Sequence, residues 1–151
     1  MEDTAEHWLR RNFVEALNLP TDACDWLIDL WAVIQVFDDV ADGDPVRDDH
    51  LIRTVWRTLV SMPVNPFFAA HSAQLYPVLA NAILKWQAAN DMESAGQADE
   101  RSFIWRASYY DVVLLAVFLC HGQAEALRLS SKVLTLYGET FADYRREFPN
   151  A

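Results

Sequence analysis

The chain has 151 residues, of which 52% are apolar and 13% aromatic, and its formal net charge is −10. This length and hydrophobicity are typical of one folded domain, residues 1–151, and exclude intrinsic disorder. The negative charge argues against nucleic acid and an anionic membrane surface as partners. Nine aspartates and a single base, Arg47, lie between Asp22 and Asp49. Most of the net charge therefore falls within one short stretch of the chain.

The cysteines and the apolar runs bear on the compartment. Cys24 and Cys120 are far apart, so they form neither a disulfide framework nor a metal motif. The acidic N-terminus lacks the apolar segment of a signal peptide. The longest apolar run, Val112 to Cys120, is well short of the ~20 residues that a membrane span needs. We therefore expect a soluble protein of the reducing cytoplasm, without a membrane-spanning segment.

The hydrophobic periodicity predicts helices along almost the whole chain, with no strand and no repeat. Gly43 and Pro45 are expected to end the second helix, and Pro77 to kink the fourth or to begin a new helix. Gly122 separates the last two helices. The predicted fold is an all-α, single-domain bundle of six or seven helices. In chain order, the predicted helices cover approximately residues 3–17, 21–42, 48–62, 66–90, 100–121 and 123–148.

The third helix carries apolar residues at helical spacing, which predicts that one of its faces is buried. The tryptophans of the chain are likewise interpreted as core side chains, because no basic groove accompanies them. The apolar residues of the third helix are Leu51, Ile52, Val55, Trp56, Leu59 and Val60. The tryptophans are Trp8, Trp26, Trp31, Trp56, Trp86 and Trp105.

The last predicted helix contains a heptad-like seam, with residues recurring at spacings of three and four. One interpretation is a homodimer interface through this C-terminal helix. The other is a helix that packs on its own core, which we favour because the seam is short and contains a serine. The seam consists of Leu127, Ser130, Leu134, Tyr137, Phe141, Tyr144 and Phe148.

Three aspartates at the end of the second helix contradict local helix preferences. Asp38, Asp39 and Asp42 fall in the last turns, where the helix dipole disfavours each carboxylate by ~0.3–1 kcal/mol. At ~100° per residue they project toward the expected interior and away from Asp22, Asp25 and Asp29, which are expected on the solvent face of the helix. Buried carboxylates require a counter-charge. We therefore predict a divalent-metal site with Mg²⁺ on these three residues.

Two other interpretations of this segment remain open. An EF-hand loop would run from Asp38 to Asp49, but Val40 and Pro45 occupy unsuitable positions and a bidentate glutamate is missing. Alternatively, the aspartates form only a charged helix end and a surface turn, in which Asp44 and Asp48 cap the backbone.

The pattern Asp38-Asp39-x-x-Asp42-x4-Arg47 resembles the first aspartate-rich motif of the trans-isoprenyl diphosphate synthases, which have the class I terpenoid synthase fold. The resemblance extends over about 25 residues. In that family the aspartates hold Mg²⁺, and the ions bind and ionise an allylic diphosphate within an all-α bundle. The resemblance implies Mg²⁺ as cofactor and a diphosphate-containing small molecule as ligand. Asp48 stands where the family has a second arginine.

Three residues outside the motif could belong to the same site. Asp111 immediately precedes the long apolar run, so it is expected to be partly buried and to need a partner. It is a candidate catalytic base or further ligand, or it pairs with a neighbouring residue. Arg106 and Lys85, together with Arg47, are candidate phosphate-binding residues, and the first two could instead pair with Asp111.

Two functions follow from these patterns, and the sequence does not decide whether the protein is an enzyme. The first is magnesium-dependent binding or turnover of a diphosphate-containing small molecule. The second is a non-catalytic helical interaction or assembly protein, whose acidic edge meets a basic partner.

Overall fold

The computed structural model describes residues 2–151, and side chains from Thr4 onward. The described residues form eight helical segments and no strand, so the all-α prediction is confirmed and the predicted number of six or seven helices is wrong. The segments are α1 (Glu2–Arg11, continued by a π-helical turn at Asn12–Ala16), α2 (Thr21–Asp42), α3 (Asp48–Trp56, continued by a π-helical turn at Arg57–Ser61 and by Met62–Val64), α4 (Pro66–Ser94), α5 (Glu100–Trp105), α6 (Tyr109–His121), α7 (Gln123–Leu134) and α8 (Phe141–Glu147).

The additional helices arise where two predicted helices are interrupted. The predicted helix 100–121 is broken between Trp105 and Tyr109 by a turn, and the Arg106 side chain in this turn pairs with Glu93 of α4. The predicted C-terminal helix ends at Leu134, and α8 begins with a capping box between Thr140 and Asp143. Residues 135–140 are not helical, and the capping box begins a separate helix although the apolar spacing continues. The heptad-like seam is therefore not continuous.

Helix α4 continues through Pro77, so, of the two alternatives for this proline, the start of a new helix is wrong. A proline inside a helix leaves the carbonyl four residues earlier without its helical donor. Pro77 and Ala73 both lie on the exposed side of α4, where water can bond that carbonyl. The cost of the proline is thus small enough for the helix to persist.

The chain divides into two compact units, one up to Ser72 and one from Ala73 onward. The single-domain organisation stays a prediction. Among the described residues, no helix combines the length and the apolar character needed to cross a membrane.

The core of the first unit lies between α1, α2 and the start of α4. Trp26 is completely buried, and its ring stacks on Phe68 at 5.5 Å and meets Phe67 at 6.0 Å. The Asn65 amide donates to the carbonyl of Asp22, and its side-chain oxygen accepts from the Phe68 N–H. Asn65 thereby caps α4 and attaches it to the start of α2. Other core residues include Leu9, Phe13, Leu17, Ala23, Leu27, Ile28 and Val33.

The second unit buries the apolar run of α6 against α7 and a group of aromatic side chains around Tyr144. Tyr144 is completely buried, and its ring lies 5.3 Å from that of Phe103. The aromatic half of the predicted seam thus packs in the core of its own unit, whereas Leu127 and Leu134 are exposed. The buried residues of α6 and α7 are Tyr109, Tyr110, Val112, Val113, Ala116, Val117, Leu129 and Val133.

Candidate functional site

Helix α3 contacts α2 with its polar side. Thr54 is 2% exposed, and its hydroxyl donates to the carbonyl of His50 at 2.9 Å. Thr58 donates in the same way to the carbonyl of Thr54 at 2.9 Å. Because each hydroxyl is bonded within its own helix, the polar side can be buried without unsatisfied groups.

A salt bridge completes this polar contact. Arg57 on α3 lies 3.2 Å from Asp29 on α2, and both side chains are about three-quarters buried. Burial raises the pKa of the Asp29 carboxyl above its ordinary value, and the Arg57 guanidinium offsets part of that rise. Asp29 was predicted to lie on an open solvent face. Its partial burial instead positions α3 on α2.

The opposite side of α3 presents large apolar side chains to solvent. We call this surface the apolar face; its residues are between 41% and 72% exposed. The prediction that this stripe is buried is wrong, because α3 satisfies its contact with α2 through polar residues. The interpretation of every tryptophan as core is wrong for Trp56 and Trp8, which are exposed. The apolar face consists of Leu51, Ile52, Val55, Trp56 and Leu59.

An open cleft of about 380 Å³ lies beside the apolar face. Ile52 and Trp56 form part of its wall, and Asp29 of α2 forms another part. The cleft combines apolar surface with the paired charges of Asp29 and Arg57, so it can receive a side chain with an apolar stem. The remaining lining residues are Arg53 and Ser61.

The three aspartates of the predicted metal site lie at the end of α2. Asp39 and Asp42 are exposed, and Asp38 is partly exposed. The expectation that all three point into the interior is wrong, because the buried part of α2 ends at Val36 and the last turns are exposed on several sides. A helical wheel gives the direction of a side chain but not whether another element covers it.

The connection between α2 and α3 is acidic and holds its bases in ion pairs. Gly43 adopts the left-handed conformation, with φ of 76°, that ends α2. Arg47 forms a bidentate pair with Asp49 at 3.0 and 2.7 Å, and Arg53 approaches the same carboxylate at 2.8 Å. Hydrogen bonds from Arg47 lower the pKa of Asp49 below its ordinary value. We call the exposed residues Asp42, Asp44 and Asp48 the acidic turn.

The other candidate residues belong to the second unit. Lys85 pairs with Asp111 at 2.9 Å, and each side chain is 39% exposed. Of the two possibilities for Asp111, pairing with a neighbouring base is therefore present in the structure. Arg106 lies 3.4 Å from Glu93 and stacks over the ring of Tyr144 at 5.3 Å. These contacts account for both bases as structural partners, and their predicted role in phosphate binding stays a prediction.

The magnesium prediction gains no further ligands from the structure. Within residues 4–151, no group of three or more histidine, cysteine, aspartate or glutamate side chains is arranged to hold a metal ion. The roles of Asp38, Asp39 and Asp42 as metal ligands therefore stay a prediction.

The apolar face is the feature that the sequence interpretation missed. The opposite side of α3 carries short polar residues, His50, Thr54 and Thr58, rather than the lysines and glutamates typical of a solvated helix face. That composition is the signal that could have indicated a buried polar side. Comparisons of the chain with protein-family profiles, curated proteins and solved structures found no match.

Proposed function

We propose that the protein is a non-catalytic interaction protein, and that the apolar face of α3, together with the acidic turn, is its binding surface. The observation that carries this proposal is the orientation of α3, which buries Thr54 and exposes five large apolar side chains. Contiguous apolar patches are uncommon on monomeric proteins and typically mark interaction sites. The acidic turn at one end of the patch supplies charge that favours one kind of partner over another.

This proposal is tested by making the apolar face polar without changing its charge. The double variant Ile52→Gln/Leu59→Gln should retain the wild-type free energy of unfolding to within about 0.5 kcal/mol, because the side chains are exposed. An apolar dye gains fluorescence when it binds contiguous apolar surface. Its fluorescence increase with the variant should be less than about half of the increase with the wild type. Urea denaturation and dye titration measure the two effects.

The matched control is Ile104→Gln/Leu127→Gln in the second unit. Ile52 and Ile104 are 64% and 65% exposed, and Leu59 and Leu127 are 72% and 69% exposed. The control should leave dye binding close to that of the wild type. A loss of several kcal/mol of stability in the Ile52→Gln/Leu59→Gln variant alone would mean that the apolar face is a core surface, and the proposed function would be abandoned.

Magnesium-dependent binding of a diphosphate-containing small molecule is kept as a second hypothesis, since Asp38 and Asp42 lie one helical turn apart where a hydrated ion can reach them. Under this hypothesis, Mg²⁺ with inorganic diphosphate raises the melting temperature of the wild type but not that of Asp38→Asn/Asp42→Asn. Differential scanning fluorimetry measures the shift. If neither protein responds and the variant melts higher, the aspartates only repel one another and the metal hypothesis is rejected.

A further inference from the structure

The apolar face is large enough for one helix to pack on it. Its residues recur at alternating spacings of one and three along α3, which forms two adjacent rows. A second helix packs onto such rows with apolar residues at positions i, i+3 or i+4, and i+7. From Leu51 to Leu59 the face extends for about 12 Å at a rise of 1.5 Å per residue. Two to three turns of a partner helix cover that length.

The charges around the apolar face favour a basic partner. The three bases of α3 and its preceding turn, Arg47, Arg53 and Arg57, are each ion-paired with Asp49 or Asp29. Residues 38–53 contain six aspartates and two arginines, so the N-terminal end of α3 has an excess of negative charge whichever ion pairs form. A second copy of this chain would bring another net charge of −10 to the contact, which disfavours self-association.

We infer that the partner of this surface is a basic amphipathic helix of another protein, whose apolar side packs on the apolar face of α3 and whose lysines or arginines lie beside the acidic turn. This inference rests on the proposed function and specifies the chemistry of the partner. The cleft lined by Ile52 and Trp56 accommodates the apolar stem of one partner side chain.

The test uses the full chain and three labelled peptides of about 18 residues. The first is a Leu–Lys peptide with its leucines on one helical side, and the second has glutamate in place of lysine. The third has the composition of the first, but its leucines are shuffled so that no apolar side forms. Fluorescence anisotropy at physiological salt measures binding. We expect the Leu–Lys peptide to bind at least about tenfold more tightly than either other peptide.

Two sets of variants locate the binding. Ile52→Gln/Leu59→Gln should weaken binding of the Leu–Lys peptide at least about tenfold, whereas the control Ile104→Gln/Leu127→Gln should not. Asp42→Asn/Asp44→Asn/Asp48→Asn should weaken it and reduce its dependence on salt, because the attraction between charges is removed. Both results together support the inference.

The other outcomes separate the inference from the proposed function. If the Leu–Glu peptide binds as tightly and also depends on Ile52 and Leu59, the surface binds helices but the basic partner is wrong. If the shuffled peptide binds equally, or if no peptide binds, both proposals are overturned. If sedimentation shows a dimer that Ile52→Gln/Leu59→Gln dissociates, the occupant is a second copy of the chain and the basic partner is again wrong.

Discussion

Replacing Trp26 with alanine is expected to lower the free energy of unfolding by about 3–5 kcal/mol. Trp26 is completely buried, and its ring stacks on Phe68 and lies against Phe67 at the start of α4. Alanine removes this contact between α2 and α4 and leaves a cavity that helices on both sides cannot fill. Urea denaturation, followed by far-UV circular dichroism, measures the change.

Two variants control this prediction. Trp26→Phe keeps a ring against Phe68 and removes an indole N–H for which the described residues provide no hydrogen-bond partner, so it should cost less than about 1.5 kcal/mol. Trp56→Ala should change stability by less than about 0.5 kcal/mol, because Trp56 is 63% exposed. If Trp56→Ala were as damaging as Trp26→Ala, α3 would bury its apolar side and the proposed binding surface would not exist.

Replacing Glu93 with alanine is expected to lower the free energy of unfolding by about 3 kcal/mol. The Glu93 carboxylate accepts from the Tyr144 hydroxyl at 2.8 Å and lies 3.4 Å from the Arg106 guanidinium. The two charged side chains are only 10% and 19% exposed, so alanine removes from a buried cation the counter-charge that acts on it most strongly. Because Arg106 is partly exposed, the expected loss of stability lies at the lower end of the range for removing one partner of a buried ion pair. Thermal and urea denaturation measure it.

The surface pair of Glu125 and Arg128 provides the comparison. These two residues of α7 form a salt bridge at 2.9 Å, and most of the arginine side chain is exposed. Glu125→Ala should therefore leave the free energy of unfolding unchanged. Glu93→Gln should fall between wild type and Glu93→Ala, since the amide oxygen still accepts from Tyr144 but carries no charge. Burial, and to a smaller extent the nearby Glu93 carboxylate, raise the pKa of Tyr144 to about 12. Its hydroxyl is therefore protonated at neutral pH and can donate to the residue at position 93. Equal losses in Glu125→Ala and Glu93→Ala would contradict the role of burial.

Helix type and most helix ends could be predicted because local residues determine them. Gly43 ends α2 and Gly122 separates α6 from α7 through backbone conformations with positive φ. The break before α8 was harder to predict, because the apolar spacing continues across it from Leu134 to Phe141. Gly138 and the capping box at Thr140 indicated it, and both signals are weaker in sequence than a long periodic pattern.

The candidate site could be predicted only in part, because periodicity identifies the sides of a helix but not which side is covered. Leu51 and Trp56 belong to a stripe that predicts burial in any amphipathic helix. The structure reverses that assignment, since Thr54 bonds within its own helix and Arg57 finds Asp29 on α2. Pairing between residues distant in sequence, such as Lys85 with Asp111, was likewise only one of several alternatives.

The polar contact between α2 and α3 has a consequence for local unfolding. Segments held by few buried apolar side chains open at a lower free energy than the rest of a domain. Helix α3 has Thr54 as its single buried residue and is linked to α2 by the Arg57–Asp29 ion pair, so it should open before α1 or α2 separates from the Trp26 core. Its detachment would leave the remaining core of the first unit intact, and α3 is thus the part of that unit best able to adjust its position to a bound helix.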